Sequence, residues 1–588
     1  MKAEAKSLKF LTMEGEVIIP FFQRSYVWTE ENWQDLLDEL SNEEKSQNFL
    51  GAIILKQLPS LTGKSKQLEV IDGQQRLTTL SILLKALLDS FPDEIKENFK
   101  NNVLEILKYK RDYTVKESEI RIKHSHVDKD AYEKVINGSL GNNDINDINE
   151  NSHRILQCYK YFIEKLSSNN YDKTKLLNKL LDTENKMLVV IDLDEKDDEQ
   201  SIFDTLNTAG VRLTIAEIVK NSLFKRAIEL SNKEIALELY NETWQNTFLK
   251  DKDTLDYWST ERTTGRLKRD NIEILLHCVG VIKGFYDPDK HSLTELSKLY
   301  KKQINNINSI DDLKDFIKEI IDYANIYKEK IVNFDKSYLF SFNNDFIRLL
   351  HILDELEIST FHPFIIYLFK NKEEENRNLI FKKLEKFIVL NMLTKKENTK
   401  NYNKLCKQFI NNNDLIDQKL NEFSWNDIIE SLHKINNKNA SLILFWIELY
   451  RRIRDNKYDI KELKYNYSLE HIMPQNWEEN WSFDNVPHPD RNLTFEQQQK
   501  DRNEKIYWLG NMTLLKSSLN SSLSNQSYEK KIIGEGRKKG MKDYASLSIT
   551  RDDIITPFEN GDKIWNENKI IERTNKLANE IKEIWFNS

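Results

Sequence analysis

The sequence lacks the features that mark secreted, membrane-spanning and zinc-binding proteins. Its three cysteines, Cys158, Cys278 and Cys406, lie far apart and form no CxxC pair, which predicts reduced thiols and no zinc site. No run of about 18 apolar residues occurs that could span a membrane. The N-terminus has no apolar stretch followed by a small-residue cleavage site. We therefore expect a cytoplasmic protein without a membrane segment.

An excess of positive charge is lacking as well. The formal net charge is −8 and the isoelectric point is near 5.9, whereas small DNA-binding domains are usually basic. Basic residues are concentrated between Lys516 and Lys542, where seven of them stand against two acidic residues. We expect phosphate contacts to concentrate in that segment.

The composition and length predict several globular domains. The 588 residues are 39% hydrophobic and 31% charged, which is typical of soluble proteins, and one core rarely organises so long a chain. Residue patterns indicate a mixed α/β segment at the start of the chain, an almost entirely helical stretch over roughly 225–455 and a new mixed segment from near Tyr465. The predicted fold class is α+β and mostly helical.

Several local elements follow from hydrophobic periodicity and capping residues. Residues 68–71 predict a buried strand that leads into a helix. Thr214 and Glu217 have the spacing of a capping box. Residues 138–152 are polar and rich in Asn and Gly, which predicts a loop. Residues 563–586 predict a terminal amphipathic helix.

Two motifs of the C-terminal segment contain groups suited to phosphodiester hydrolysis. YSLEHIMPQ occupies residues 467–475, LGNMTLL occupies 509–515, and Asn520 and Asn525 follow. The reaction needs a base for the attacking water, a divalent cation for the developing charge and a group that orients the base. The set as a whole predicts a hydrolytic site, although a single histidine is more often structural and asparagine is abundant in this chain.

We assign His471 as the base and Asn511 as the residue that orients its imidazole. Glu470 and Asn520 are assigned as ligands of Mg²⁺ or Mn²⁺, since oxygen ligands suit hard cations. Asn525 is an alternative to Asn520. A second histidine nearby, in the sequence VPHPD, is not expected to bind metal.

Two motifs of the N-terminal segment suggest an anion site. The first is IPFFQRSYVW at residues 19–28, and the second is IDGQQRLTT at residues 71–79. A strand, a tight turn and a helix N-terminus gather backbone N–H groups that can face an anion. The chain has no GxxxxGKS or GxxxxGKT motif, so the phosphates of a nucleotide would have to be bound by a different loop.

The side chains of these motifs suggest how such a phosphate-binding site could work. Arg24 and Arg76 could clamp a phosphate. Gln74 and Gln75 could orient a water or bind a base edge, and Asp72 could hold a metal. For DGQQR alone, a capped helix with an ordinary surface arginine is an equally good interpretation.

Together these motifs resemble the GmrSD-like, modification-dependent (type IV) restriction enzymes. The FQR-x-Y-x-W and DGQQR motifs and the element over 203–214 resemble the family's ParB/sulfiredoxin-like N-terminal domain. Residues 410–588 resemble its HNH-type nuclease domain, a His-Me finger or ββα-metal fold. The resemblance covers roughly 8–230 and 410–588 and leaves the helical middle unassigned.

The resemblance implies a set of binding residues. A nucleoside triphosphate would be bound and hydrolysed by residues of the two N-terminal motifs: Gln23, Arg24, Asp72, Gly73, Gln74, Gln75 and Arg76. Either Lys530 or Lys531 would contact double-stranded DNA. Tyr26 and Trp28 would pack the nucleotide site or help to sense DNA, although both also suit a core.

The resemblance therefore implies a nucleotide-regulated, metal-dependent DNA endonuclease that restricts modified phage DNA. One alternative is a ParB-like, nucleotide-switched DNA-binding protein with a vestigial nuclease domain. Another is a toxin nuclease that ignores DNA modification. The sequence leaves open the modification sensed, the preferred nucleotide and whether the protein forms a homo-oligomer.

Overall fold

A computed structural model describes most of the chain and divides it into two compact units. It covers residues 2–42, 48–58, 65–110, 117–168, 171–193, 214–264, 267–332, 334–516, 525–536 and 538–587. One unit spans Met1–Glu242 and the other Thr243–Ser588. Helices dominate and the strands form a small mixed sheet and several two-stranded ribbons, which confirms the α+β class. The predicted boundaries near 230 and 409 stay predictions.

A mixed six-stranded sheet forms the centre of the N-terminal unit. The strands of this unit are β1 Lys2–Lys6, β2 Glu16–Ile18, β3 Ala52–Gln57, β4 Gln67–Asp72, β5 Lys108–Tyr109, β6 Glu119–Ile120, β7 Ile122–Lys123 and β8 Leu188–Leu193. The order in the sheet is β1-β8-β3-β4-β2-β7. The strands β3 and β8 run parallel, as do β2 and β4, whereas β3 and β4 run antiparallel.

Helices pack around this sheet, and one of them is buried on all sides. They are α1 Glu30–Ser41, α2 Gln74–Asp89, α3 Asp93–Leu107, α4 His126–Asn137, α5 Asn142–Asn146, α6 Arg154–Ser167, α7 Lys173–Leu181, α8 Ile215–Leu230 and α9 Lys233–Tyr240. In α2, almost every residue from Gln74 to Leu88 is buried, because helices α3, α4, α6 and α7 all contact it. The helix that follows the DGQQR turn is therefore the central helix of the unit.

A capping box and a loop were predicted in this unit, and the structure describes both segments. Thr214 and Glu217 form the predicted capping box, with each side chain accepting a hydrogen bond from the other residue's backbone N–H. The stretch predicted as a loop over 138–152 contains the short helix α5. That helix forms because Asp144 accepts the backbone N–H of Gly141 and so caps its first turn.

Helices make up most of the C-terminal unit. They are α10 Asn246–Phe248, α11 Lys252–Ser259, α12 Asn271–Ile282, α13 Leu296–Asn305, α14 Ile310–Lys330, α15 Asp345–Glu355, α16 His362–Asn371, α17 Glu374–Thr394, α18 Tyr402–Asn411, α19 Leu415–Leu420, α20 Trp425–Leu432, α21 Asn437–Arg454, α22 Phe495–Lys505, α23 Tyr528–Ile533, α24 Met541–Tyr544, α25 Ser548–Thr550, α26 Thr556–Glu559 and α27 Glu567–Ile581. A π-helical turn over Lys582–Phe586 extends α27, so the predicted terminal helix is present.

The strands of this unit form antiparallel ribbons. They are β9 Glu261–Thr264, β10 Leu267–Asp270, β11 Leu339–Ser341, β12 Glu462–Lys464, β13 Tyr467–His471, β14 Met512–Lys516, β15 Gly534–Glu535 and β16 Lys538–Lys539. The ribbon β9–β10 lies in the segment predicted to be helical. Its strands ERTT and LKRD are short and almost wholly polar, so no alternation of apolar and polar residues distinguishes them from a polar helix.

A compact aromatic core supports the ribbon of β13 and β14. It contains Ile472, Met473, Trp477 and Trp481 after β13 together with Trp565 near α27. The Arg502 guanidinium is fully buried here and bonds the Glu567 carboxylate at 2.5 Å. In the part of the chain that the structure describes, no helix is long and apolar enough to cross a membrane. All three cysteines are free and buried.

Candidate functional site

The two C-terminal motifs meet on one antiparallel ribbon. Strand β13 pairs with β14 so that Glu470 lies opposite Thr513 and His471 lies opposite Met512. His471 is therefore the last residue of its strand, and the chain turns there into the buried core. Its Nε2 atom is buried and has no hydrogen-bond partner within the described ranges. Burial and the nearby Lys531 ammonium lower the pKa of His471 to about 4, so the imidazole is uncharged near neutral pH.

A buried lysine holds the residues on either side of this strand end. The Lys531 ammonium, on α23, donates hydrogen bonds to Glu470 Oε1 at 2.5 Å and to the His471 carbonyl oxygen at 2.8 Å. Its side chain is 0% exposed. Burial lowers the pKa of Lys531 and raises that of Glu470, whereas the attraction between the two charges opposes both shifts.

This position corrects the expectation that Lys531 contacts DNA. An ammonium that is fully buried and bonded inside the protein cannot also reach a phosphate group. Lys530 differs, since its side chain is 45% exposed and pairs with Glu535 at the surface, at 2.8 Å. Of the two predicted lysines, Lys530 is therefore the one that could meet a nucleic acid backbone.

Asn511 occupies the expected place but makes different contacts. Its Nδ2 donates to the carbonyl oxygens of Met473 (2.8 Å) and Ile506 (3.0 Å). Its Oδ1 accepts from the Met473 backbone N–H (2.9 Å) and from the Trp565 indole (3.2 Å). These four bonds use the whole capacity of a primary amide. The expected direct bond from Asn511 to the imidazole is therefore wrong, and Asn511 instead fixes the turn that follows His471.

The two candidates for the second metal ligand cannot be compared, since Asn520 lies outside the described residues. Asn525 is described and exposed, and its carbonyl oxygen accepts a hydrogen bond from Asn480. His488 is not a candidate ligand, because its Nε2 lies 3.0 Å from the Asp501 carboxylate and its Nδ1 accepts the backbone N–H of Asp490.

The donor chemistry at the strand end fits a hard divalent cation. Lys531 engages only Oε1 of Glu470, which leaves Oε2 as a carboxylate oxygen for a cation. Within the described ranges, no group of three or more His, Cys, Asp or Glu residues could hold a metal ion. A complete ligand set would therefore need backbone, amide or water oxygens in addition to Glu470.

The N-terminal motifs also meet, at the start of α2. Gly73 has a left-handed backbone conformation (φ 91°) directly before the helix, which glycine adopts at no steric cost. Gln23 donates from Nε2 to the carbonyl oxygen of Val70 in β4 at 2.5 Å. The FQR and DGQQR segments are thus neighbours, as the anion-site hypothesis requires.

The two glutamines of DGQQR point into the protein. Gln74 donates to the Arg24 carbonyl oxygen at 2.7 Å. Gln75 donates to the Ser25 carbonyl oxygen (3.1 Å) and accepts the backbone N–H groups of Val27 (2.9 Å) and Trp28 (3.3 Å). Each glutamine is only 6% exposed. The expectation that they contact a water or a base edge is therefore wrong, and they clamp the loop over residues 24–28.

Arg76 is packed against a glycine. Its Nη1 donates to the Ala52 carbonyl oxygen at 2.9 Å. A Cβ added at Gly51 would lie 2.5 Å from Arg76 Nε, so only glycine lets the guanidinium approach the backbone this closely. The side chain is partly exposed, and its remaining N–H groups could meet an anion.

A buried polar cluster beside this loop was missed in the sequence. Asp128 is fully buried, accepts the backbone N–H of Tyr26 at 2.9 Å and lies 3.3 Å from Nε2 of His153. Tyr26 is buried as well, and its hydroxyl lies 2.6 Å from that of Thr79 in α2. Tyr26 is thus a core residue. The sequence did not mark Asp128 as part of this cluster, because Tyr26 and His153 are distant from it in the chain.

Comparison with known proteins matches an N-terminal and a C-terminal segment, which contain the two pairs of motifs. Residues 8–224 match the family described as GmrSD restriction endonuclease, N-terminal domain. Residues 391–580 match GmrSD restriction endonucleases, C-terminal domain. An uncharacterised protein of Methanocaldococcus jannaschii is 30% identical over 11% of this chain and 14% of its own length. This chain thus spans about a seventh of the curated relative that it matches.

Proposed function

Because the chain belongs to the GmrSD restriction endonuclease family, we propose that it is a metal-dependent DNA endonuclease whose reaction is centred on His471. The observation that supports this most is the position of the imidazole. His471 ends its strand beside Glu470, and its buried Nε2 has no hydrogen-bond partner among the residues that the structure describes. A buried nitrogen without a partner is rare in native structures, and a base must keep its lone pair for the substrate.

The residues around the imidazole would each have a separate task. His471 removes a proton from the attacking water. Asn511 fixes the backbone of the turn behind it, and Lys531 fixes the backbone and carboxylate at the strand end. Glu470, together with Asn520 as the sequence suggests, would hold Mg²⁺ or Mn²⁺. When bound, such a cation stabilises negative charge on the phosphate.

DNA binding would use the exposed basic residues of the same segment. Lys530 is the candidate that the structure leaves accessible. The HNH-type fold itself is part of this proposal. It is supported by a ribbon of two strands with the histidine at a strand end and the second motif on the partner strand.

The N-terminal unit would bind the nucleoside triphosphate that regulates cleavage. The partly exposed guanidinium of Arg76, the Arg24 side chain and the N-terminus of α2 would face the phosphates. Gln74 and Gln75 would act indirectly, by holding the loop that bears Arg24. Restriction of modified phage DNA would follow if this unit coupled recognition to the nuclease.

A plaque assay with phages of known DNA modification tests the proposal. Cells that express the wild type are expected to block a phage with modified DNA and to admit the same phage grown without the modification. His471→Ala and Arg76→Ala are expected to abolish protection, and His488→Gln is the matched control. Equal blocking of both phages would favour a nuclease that ignores modification. Full protection by His471→Ala would favour a DNA-binding protein with a vestigial nuclease fold.

A further inference from the structure

A buried lysine on α8 has no polar partner in the described part of the chain. Lys220 is only 5% exposed. Among the described residues, no group accepts a hydrogen bond from its ammonium and no carboxylate forms an ion pair with it. Lysine is almost never buried unless its charge is paired, because an isolated ammonium loses its hydration without compensation. A buried lysine that is kept without a partner therefore suggests a ligand.

Burial dominates the acid–base behaviour of Lys220. It lowers the pKa of the ammonium to about 8, whereas the charge of Glu217 opposes this shift and that of Arg24 adds to it. Glu217 lies one turn earlier in α8, and its carboxylate accepts the backbone N–H of Thr214 at 2.8 Å. That carboxylate caps the helix, and it forms no ion pair with Lys220. The negative charge that Lys220 needs is thus not supplied from its own helix.

Helix α8 packs against the first of the two N-terminal motifs. With its amide turned so that both its oxygen and its nitrogen find suitable partners, Asn221 donates to the Phe22 carbonyl oxygen at 2.9 Å. Lys220 directly precedes Asn221, and Arg24 follows Phe22 by two residues. This packing brings the Lys220 ammonium within electrostatic reach of Arg24.

The same short segment is also held at the start of α2. Gln23 donates to the carbonyl oxygen of Val70 in β4 at 2.5 Å, and Gln74 donates to the Arg24 carbonyl oxygen at 2.7 Å. Arg24 and the N-terminus of α2 are among the groups proposed above to face the phosphates of a nucleotide. The contacts that position Arg24 therefore also place Lys220 beside the proposed phosphate site.

From these observations we infer that Lys220 is a further ligand of the nucleotide, whose ammonium binds the phosphate chain together with Arg24. A lysine ammonium is a compact point charge that suits phosphate oxygens. Bound phosphate supplies the negative charge that the described residues do not provide around Lys220. The inference rests on the proposed nucleotide-binding role of the N-terminal unit, and it adds a cation from α8 to the groups at the start of α2.

A ligand role and a structural role predict opposite effects of Lys220→Met on stability. Methionine has a similar length and no charge, so it removes the cost of burying an unpaired ammonium. Without nucleotide, Lys220→Met should therefore raise the midpoint of thermal unfolding by about 2 °C or more. A lysine that stabilised the fold through a partner would instead make the variant less stable. Lys233→Met, at an exposed position of α9, is the matched control and should leave the midpoint unchanged.

Calorimetric titration of the full chain, with Mg²⁺ and without DNA, tests the ligand role. The probes are inorganic triphosphate, ATP and GTP. Lys220→Met is expected to weaken their binding about tenfold or more, because it removes charge-assisted hydrogen bonds, whereas Lys233→Met should bind as the wild type does.

Proton uptake during binding gives a second readout. Among the described residues, the charged groups within electrostatic reach of Lys220 are Glu217 and Arg24. At pH 8 about half of the Lys220 side chains are uncharged, and a bound phosphate raises the pKa of the amine. Titration with the bound nucleotide at this pH, in two buffers of different ionisation enthalpy, should therefore show more proton uptake by the wild type than by Lys220→Met. Equal uptake would contradict a contact between Lys220 and the phosphates.

Arg76→Ala separates failure of this inference from failure of the nucleotide site. Weaker binding by Arg76→Ala, with wild-type affinity in Lys220→Met, would overturn the inference and leave the nucleotide site in place. Weaker binding by Lys220→Met alone would support Lys220 and contradict the role of Arg76. Wild-type protein that binds none of the three probes would contradict the nucleotide site and the inference with it. A Lys220→Met variant that is destabilised or does not fold would also overturn the inference, since Lys220 would then have a structural role.

Discussion

The ammonium of Lys531 lies 2.5 Å from the Glu470 carboxylate and is completely shielded from solvent. It also bonds the carbonyl oxygen of His471, so one side chain ties α23 to the strand end at which the proposed base is located. A buried ion pair is costly to break, because removal of one partner leaves an uncompensated charge inside the protein.

Lys531→Met is therefore expected to lower the free energy of unfolding by about 3–5 kcal/mol. Lys530→Met, at the exposed neighbour, is expected to change it by less than about 0.5 kcal/mol. Urea unfolding followed by tryptophan fluorescence measures both. The double variant Glu470→Gln with Lys531→Met should recover part of the loss, since it leaves no unpaired charge. Equal stability of Lys531→Met and Lys530→Met would contradict the buried pair.

Gln75→Ala is expected to loosen the loop over residues 24–28. It removes the three hydrogen bonds to Ser25, Val27 and Trp28 and should cost about 1–3 kcal/mol, because partly buried backbone groups lose their partners. Amide hydrogen exchange should become faster at Val27 and Trp28. Gln57→Ala, at an exposed position of β3, is the control. Unchanged exchange at both amides would show that Gln75 does not hold the loop.

Asn511→Ala is expected to act through the backbone rather than through the imidazole. Loss of its bonds to Met473 and Ile506 should destabilise the protein by about 1–3 kcal/mol and speed amide exchange at Met473. DNA cleavage should fall together with this local opening. A variant that loses cleavage while the Met473 amide stays protected would instead support direct contact between Asn511 and the reacting groups.

Asp553 provides a prediction for pH. Burial raises its pKa, but the charges of Arg573 and Arg451 outweigh burial, so the net pKa lies below its ordinary value of 3.8. Its contribution to stability is therefore complete above pH 3.8 and is lost as the pH falls through the lower pKa of the folded state. Asp553→Asn removes this contribution and leaves Arg573 without its carboxylate partner.

Urea unfolding at about pH 5.5 and about pH 2.5 measures the effect. The difference in stability between wild type and Asp553→Asn should be about 3–5 kcal/mol at the higher pH and smaller at the lower one. Asp484→Asn, at an exposed position, should show no difference at either pH. A difference that grows on acidification would contradict the sign derived from the arginines.

Features that depend on neighbours in sequence could be predicted, and features that depend on distant partners could not. The capping box of Thr214 with Glu217 needs only four residues and is present. The meeting of Glu470 and His471 with the second motif also followed from the order of the motifs. The inward orientation of Gln74 and Gln75 did not, because their partners lie about fifty residues earlier in the chain. Burial of Lys531 likewise depends on α23 packing against a strand sixty residues away.

The role of His471 as the base of a metal-dependent DNA endonuclease can be measured by single-turnover cleavage of DNA with the purified chain. With Mg²⁺ or Mn²⁺ present, His471→Ala should cleave at least about 100-fold more slowly than wild type, the scale expected for loss of a general base. His488→Gln should keep the wild-type rate, and chelation of the cation should stop both. Cleavage by His471→Ala at the wild-type rate would contradict the account.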